Sequence, residues 1–284
     1  MRVTMFLLLA TALCFATAVA EEETPAASTT YAVGAKVKDF TGPGLEGGKA
    51  GLADLTITPE KAGSAVLAVA IPFAGEKSVT LETRFDAIEG VLDDGEVDEF
   101  EKAALVGAAG RAFGLVATDE RVEAMETLAD VKTWIVAAKD APMAVILWAS
   151  ACETSTSYYN EKMNELVAAE NLRMLVVASH PYDEAKQIRD RLEGFPFYWH
   201  VVLDQSQTIM RLFLAGPTRT PHVFLLDKTQ VLRYSGAVDS DPTLDTDDED
   251  IQPYLRDASR AIRGGQEVKV KVTKAKGCPL DLKK

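Results

Sequence analysis

The stretch Trp148-Ala149-Ser150-Ala151-Cys152-Glu153-Thr154-Ser155 decides how this chain is read. Before it lies an apolar run of strand length, residues 143–147; after it comes a helical pattern over residues 154–170. Cys152 therefore falls where a strand ends and a helix opens. Unpaired backbone N–H groups and the positive end of the helix dipole meet there, and both favour a thiolate over a thiol. Further along, Thr220-Pro221-His222-Val223-Phe224-Leu225-Leu226-Asp227 is a Thr-Pro step leading into a second buried strand.

Working outward, the order of elements is regular. The helix over 154–170 turns Tyr158, Met163, Leu166 and Val167 inward, and a strand follows over 172–178. A turn at His180-Pro181 leads to a helix over 183–192, a strand over 201–203 and a short helix over 206–214. After the strand 223–226, Asp227-Lys228-Thr229-Gln230 turns a hairpin into 231–234. A last helix over 251–262 ends at Gly264-Gly265, where a C-cap belongs. This order predicts an α/β fold with a mixed central sheet and helices on both faces.

Upstream, residues 64–73 form another apolar run of strand length, bounded by Gly63 and Gly75. Residues 79–139 are helical by period: Leu81, Phe85, Ile88 and Leu92 share a face, then Phe100, Ala104 and Leu105. Val122, Met125, Leu128, Val131, Ile135 and Ala138 continue the pattern in a third helix. This helical insertion stands ahead of the cysteine-bearing strand. The segments 53–78 and 129–155 echo each other loosely, which leaves a degenerate partial repeat as the other reading.

Residues 1–20 carry Arg2, an apolar core and a small-residue end, Ala18-Val19-Ala20, before Glu21-Glu22-Glu23. That is the pattern of a secretory signal peptide rather than a membrane span, with cleavage near Ala20 and a periplasmic or secreted product. Cys14 lies within it, so Cys152 and Cys278 remain, in a compartment where disulfides persist. A net charge of -13 argues against nucleic acid and anionic membranes as partners, and no other run is long enough to span a bilayer. The expected divisions are 1–20 signal peptide, 21–63 leader and N-terminal hairpin, 64–140 strand plus insertion, 141–265 core, and 266–284 a tail carrying Cys278.

The strand–Cys152–helix unit with Thr220-Pro221 resembles the thioredoxin superfamily. The likeness is greatest to exported redoxin-domain proteins, relatives of alkyl hydroperoxide reductase and thiol-specific antioxidant. Cys152, Ser155, Tyr158 or Tyr159 and Leu166 match their helix start. The block 220–227, then Tyr234-Ser235-Gly236-Ala237-Val238-Asp239, Tyr254-Leu255 and the Gly277-Cys278-Pro279-Leu280 tail match the rest. The match spans roughly residues 141–282, and more weakly 33–55, where Val33 to Phe40 and Gly48 to Leu55 look like the family's amino-terminal hairpin. The resemblance implies a thioredoxin-like fold and thiol redox chemistry, in antioxidant defence or redox homeostasis, with no cofactor and no metal. Cys152 would be the nucleophile toward a disulfide-bearing protein or a small peroxide, with a thiol as electron donor. Pro221 would be cis and pack on the sulfur, and Thr220 would offer its backbone to a bound peptide. Trp148, Ser155 and His222 would neighbour the site.

Departures from the pattern bear on the activity. Ser155 stands where a two-cysteine exchange site has its second cysteine, and Ala149 stands where the peroxidase type has Thr or Ser. Glu153, a carboxylate beside the sulfur, is expected to raise its pKa. Resolution then falls to small thiols, to another protein, or to Cys278 on a tail flexible enough to reach. The rival reading is a decayed binding or scaffold module in which a Cys152–Cys278 disulfide pins the tail; a third is a sensor that signals through the insertion. Trp148 reads equally as core, and His222 as a satisfied surface histidine beside His180 and His200, which lack metal-ligand spacing. Asp94-Gly95-Glu96-Val97-Asp98-Glu99-Phe100-Glu101 has the spacing of half an EF-hand loop, but Gly90 and Leu92 would fill ligand positions without side-chain oxygens. The acidic run 239–250 is expected to be a solvated loop.

Overall fold

The computed structural model describes residues 30–45, 47–55, 102, 106, 115, 117–192, 200–241, 250–280 and 282–283. The expected signal peptide, the expected strand over 64–73, the echo across 53–78 and the EF-hand-like run lie outside these, as does most of the expected insertion.

Strands β1 (Thr41–Pro43) and β2 (Lys49–Gly51) form a small antiparallel hairpin, followed by a 3-10 turn at Leu52–Leu55. Helices α1 (Asp119–Glu123) and α2 (Leu128–Ala137) precede β3 (Met143–Trp148). Then come a π-helical turn at Thr154–Tyr158, α3 (Tyr159–Glu170), β4 (Arg173–Ala178) and α4 (Ala185–Leu192). They are followed by β5 (His200–Leu203), α5 (Thr208–Phe213), β6 (Thr218–Thr220), β7 (His222–Leu226) and β8 (Leu232–Gly236). Helix α6 (Tyr254–Arg263) and β9 (Cys278–Leu280) complete the described chain.

The main sheet has five strands in the order β5-β4-β3-β7-β8. β3 runs parallel to β4, β4 parallel to β5, while β7 is antiparallel to both β3 and β8. Every residue of β3 and β4 is buried, which is why both read as apolar runs apart from Arg173 at the start of β4. Alternate side chains feed two cores. Ala144, Ile146 and Trp148 join α3, α6 and Ile188 on one face; Met143, Val145 and Leu147 join Phe40, Leu52, Phe213 and Leu280 on the other. Glu170 at the end of α3 is buried and paired with both Arg260 and Arg263, tying α3 to α6. This is the thioredoxin-like arrangement that the element order predicted, with Cys152 just past the end of the central strand.

Four local expectations differ. The third helix is broken: Thr127 and Asp130 form a reciprocal cap, with the Thr127 N–H donating to Asp130 Oδ2 at 2.8 Å and the Asp130 N–H to Thr127 Oγ1 at 3.3 Å, so α2 starts afresh. Residues 34–37 are an edge cover rather than part of the hairpin arm, the Gly34 N–H donating to Leu232 O at 2.7 Å and the Leu232 N–H to Ala35 O at 2.9 Å, whereas Phe40 O accepts the Leu52 N–H at 3.1 Å and extends the hairpin. The acidic run is not wholly solvated: Asp239 and Asp241 are buried, and Asp239 meets Lys162 at 2.9 Å. The tail is not loose either, because β9 pairs antiparallel with β6 and Leu280 is buried. No described helix is long and apolar enough to cross a membrane.

Candidate functional site

The end of β3 delivers Cys152 through a tight turn. The Cys152 N–H donates to Ala149 O at 3.1 Å, and Cys152 O accepts from the Thr156 N–H at 2.9 Å as the helical turn begins. Beneath the turn, buried Asp183 accepts from both the Ser150 N–H at 3.0 Å and the Ser150 hydroxyl at 2.6 Å. Burial raises the Asp183 pKa even against those donors, and its Oδ2 has no partner among the described residues. Ser150 therefore serves the turn, and its hydroxyl is not free to organise a peroxide; Ala149, also buried, has none.

Around the sulfur the groups are close. The Cys152 thiol donates to Thr220 O at 3.3 Å, and the Ser155 N–H donates to Cys152 Sγ at 3.3 Å. The Thr220–Pro221 peptide bond is cis. Burial works against ionisation of Cys152, but the Cys278 thiol, the Ser155 and Thr220 side chains and the Ser155 N–H outweigh it, so its pKa is lowered. The hydroxyls of Ser155 and Thr220 are fully buried beside the sulfur and make no hydrogen bond among the described residues. The exposed Glu153 is not among the groups that move the thiol, so the expected rise from that carboxylate does not appear. Ser155, read from the sequence as standing where a second cysteine would, donates its backbone N–H to the sulfur.

Cys278 lies directly opposite Thr220 in the β6–β9 pair, its thiol beside Thr154 Oγ1 at 3.9 Å. Burial, and then Cys152 itself, raises its pKa. Both cysteines are free thiols, and both lie against Thr220, Cys152 through its thiol and Cys278 through its strand register. Thr154 and Asp183 are site residues that the sequence reading missed. Asp183 carries no motif beyond the turn at His180-Pro181, and Thr154 looks like any residue of a helical first turn.

Trp148 is core, 2% exposed on the α3 face. His222 is buried rather than on the surface. It stacks on Phe224 with ring centroids 4.5 Å apart and is held by Thr218 Oγ1 at 2.7 Å and Ser235 Oγ at 3.0 Å. Burial lowers its pKa to about 4, so it is neutral at pH 7. A depressed histidine stabilises the fold fully above its unfolded pKa, and that contribution is lost as pH falls toward the folded value. Urea unfolding at pH 7 and pH 5 should show wild type losing about 2 kcal/mol more than His222→Gln over that interval. Asp183 and Asp204, both raised by burial, act with the opposite sign but are common to the two proteins. Equal pH slopes would refute the assignment.

A cavity of about 780 Å³ lies between the β7–β8 turn and the end of α6, lined by residues such as Asp227, Arg233 and Arg263. None of the residues around the sulfur borders it. Among the described residues no group of His, Cys, Asp or Glu is arranged to hold a metal ion.

No family model matches this chain, and no curated protein matches it. Among solved structures, a hypothetical protein of Sinorhizobium meliloti is similar at 14% identity, covering 89% of this chain and 96% of its own, with TM-score 0.51. A putative thiol:disulfide interchange protein DsbE of Chlorobium tepidum matches at 13% identity over 72% of this chain and 85% of its own, TM-score 0.36. The peroxidoxin BcpB of Mycobacterium tuberculosis matches at 10% identity over 72% and 83%, TM-score 0.34. Strand order, the cysteine after the central strand and the Thr-Pro step facing it agree on one conclusion: this chain has a thioredoxin-like fold.

Proposed function

We propose that the protein is an exported thiol–disulfide oxidoreductase whose nucleophile is Cys152 and whose resolving thiol is Cys278. The observation that carries this reading is geometric: Cys278 stands opposite Thr220, the residue whose carbonyl accepts the Cys152 thiol proton. The Cys152 thiolate attacks one sulfur of a substrate disulfide; a Cys152–substrate bond forms, the substrate S–S bond breaks, and the leaving thiolate takes up a proton. Cys278 then loses its proton and attacks Cys152 Sγ, releasing the second substrate thiol and leaving a Cys152–Cys278 disulfide. Two electrons pass from the cysteine pair to the substrate, and an external thiol donor restores the pair. Disulfides suit the site better than peroxides because Ser150 is committed to Asp183.

The test is the pH dependence of alkylation, followed separately at each cysteine by peptide mass spectrometry. Cys152 should titrate below ~8.5, the usual cysteine value, and Cys278 above it. Cys278→Ala removes a donor and should move the Cys152 midpoint upward. Burial slows alkylation at every pH without moving the midpoint. A Cys152 that titrates at or above the usual value, or never reacts, would instead support the reading of a decayed binding module.

A further inference from the structure

The edge of β6 beside Cys152 is occupied by the chain itself. Cys278 faces Thr220, Pro279 faces Arg219 and Leu280 faces Thr218 in antiparallel register. Thr220 is the residue whose carbonyl accepts the Cys152 thiol proton. Beyond this pairing the segment is anchored at both ends. Lys276 reaches Ser240 O, Arg219 reaches Gly277 O, and Arg211 Nη2 donates to Lys283 O at 2.6 Å. Leu280 is 1% exposed within the cluster that holds Ile209, Met210 and Phe213, and Leu282 packs against it.

The geometry points to β9 as an internal stand-in for the site's polypeptide substrate, closing the β6 edge until another cysteine-bearing segment displaces it. This rests on the reading of Cys152 as an exchange nucleophile, and adds to it what the substrate must look like. A main-chain pair along β6 is indifferent to sequence, so the side chains of β9 supply the selectivity. A Cβ at position 277 would fall 2.2 Å from Thr220 O, so glycine precedes the cysteine. Pro279 is exposed and makes no demand. Leu280 fills an apolar site. The substrate is therefore an extended polypeptide with glycine before its cysteine and an apolar residue two places after it. A tethered strand competes at an effective concentration in the mM range, so a free segment binds the intact protein weakly.

The test uses the full chain carrying Cys152→Ser, so that binding is read without redox chemistry. The probe is a fluorescein-labelled peptide of residues 275–283 with Cys278→Ser, followed by anisotropy. Gly277→Val in the protein should dislodge β9 and tighten peptide binding by at least about tenfold. In the peptide, Gly277→Val or Leu280→Asp should weaken binding by a similar factor and Pro279→Ala should not. As a check that needs no dislodging variant, saturating peptide should raise the alkylation rate of Cys278 in the otherwise unaltered chain at least severalfold. Binding that is equal with and without Gly277→Val, or absent from both, overturns the proposal, as does a Cys278 rate that the peptide leaves unchanged. Failure here leaves the Cys152 titration standing, and an inert Cys152 leaves the binding result standing.

Discussion

Cys152→Ser is expected to lower disulfide turnover by on the order of 10³-fold or more, measured as reduction of insulin with dithiothreitol as donor. A hydroxyl at this position can still donate to Thr220 O, as the thiol does, so the fold should persist and thermal unfolding should move little. What is lost is the ionisable sulfur on which the surrounding donors act. Those donors give graded expectations of their own. Ser155→Ala removes a hydroxyl but keeps the N–H at 3.3 Å, so it should raise the Cys152 pKa and slow turnover only modestly. Cys278→Ala should spare the first exchange and let the mixed disulfide accumulate. Unimpaired turnover in Cys152→Ser would move the chemistry elsewhere.

A large loss of stability is expected for Gly236→Ala. Gly236 ends β8 at φ 153°, and a Cβ there would lie 2.1 Å from Thr273 Oγ1 and 2.6 Å from Thr273 O. Thr273 has nowhere to retreat, because its Oγ1 accepts the Ala237 N–H at 2.9 Å and meets the buried Tyr234 hydroxyl at 2.6 Å. Moving Thr273 also breaks its backbone link to Ser235 O at 3.0 Å. The expected cost is about 3 kcal/mol, or roughly 6–12 °C in Tm for a domain of this size. Gly34→Ala is the control: φ is 96°, yet nothing lies within 4 Å of the added Cβ, so only the backbone penalty of about 1–2 kcal/mol applies. Equal losses at the two positions would mean that the contact with Thr273 is not what requires glycine.

The central sheet was legible because β3, β4 and β7 are covered on both faces and leave apolar runs in the sequence, interrupted only by Arg173 and His222 at strand starts. Cys152, Thr220 and Pro221 were legible for the same reason, since each borders one of those strands. What could not be read depends on long-range pairing. Residues 34–37 cover the edge of β8 through residues nearly two hundred places away, as the 2.9 Å bond between the Val37 N–H and Gln230 O shows. Cys-Pro-Leu is too short, and too proline-marked, to read as a strand until Thr220 is set against it. Asp239 and Asp241 looked solvated because local composition is acidic, whereas Lys162 on α3 faces Asp239. Ser155 looked like a missing cysteine because a motif records what is absent, not the N–H that remains.

The most direct test of the account is a mixed-disulfide trap. Reduced Cys278→Ala protein is mixed with oxidised glutathione, quenched in acid and mapped by non-reducing peptide mass spectrometry. A single glutathione adduct, on Cys152, is expected, forming faster as pH rises through the lowered thiol pKa. A folded protein whose Cys152 stays unmodified across that pH range would contradict it.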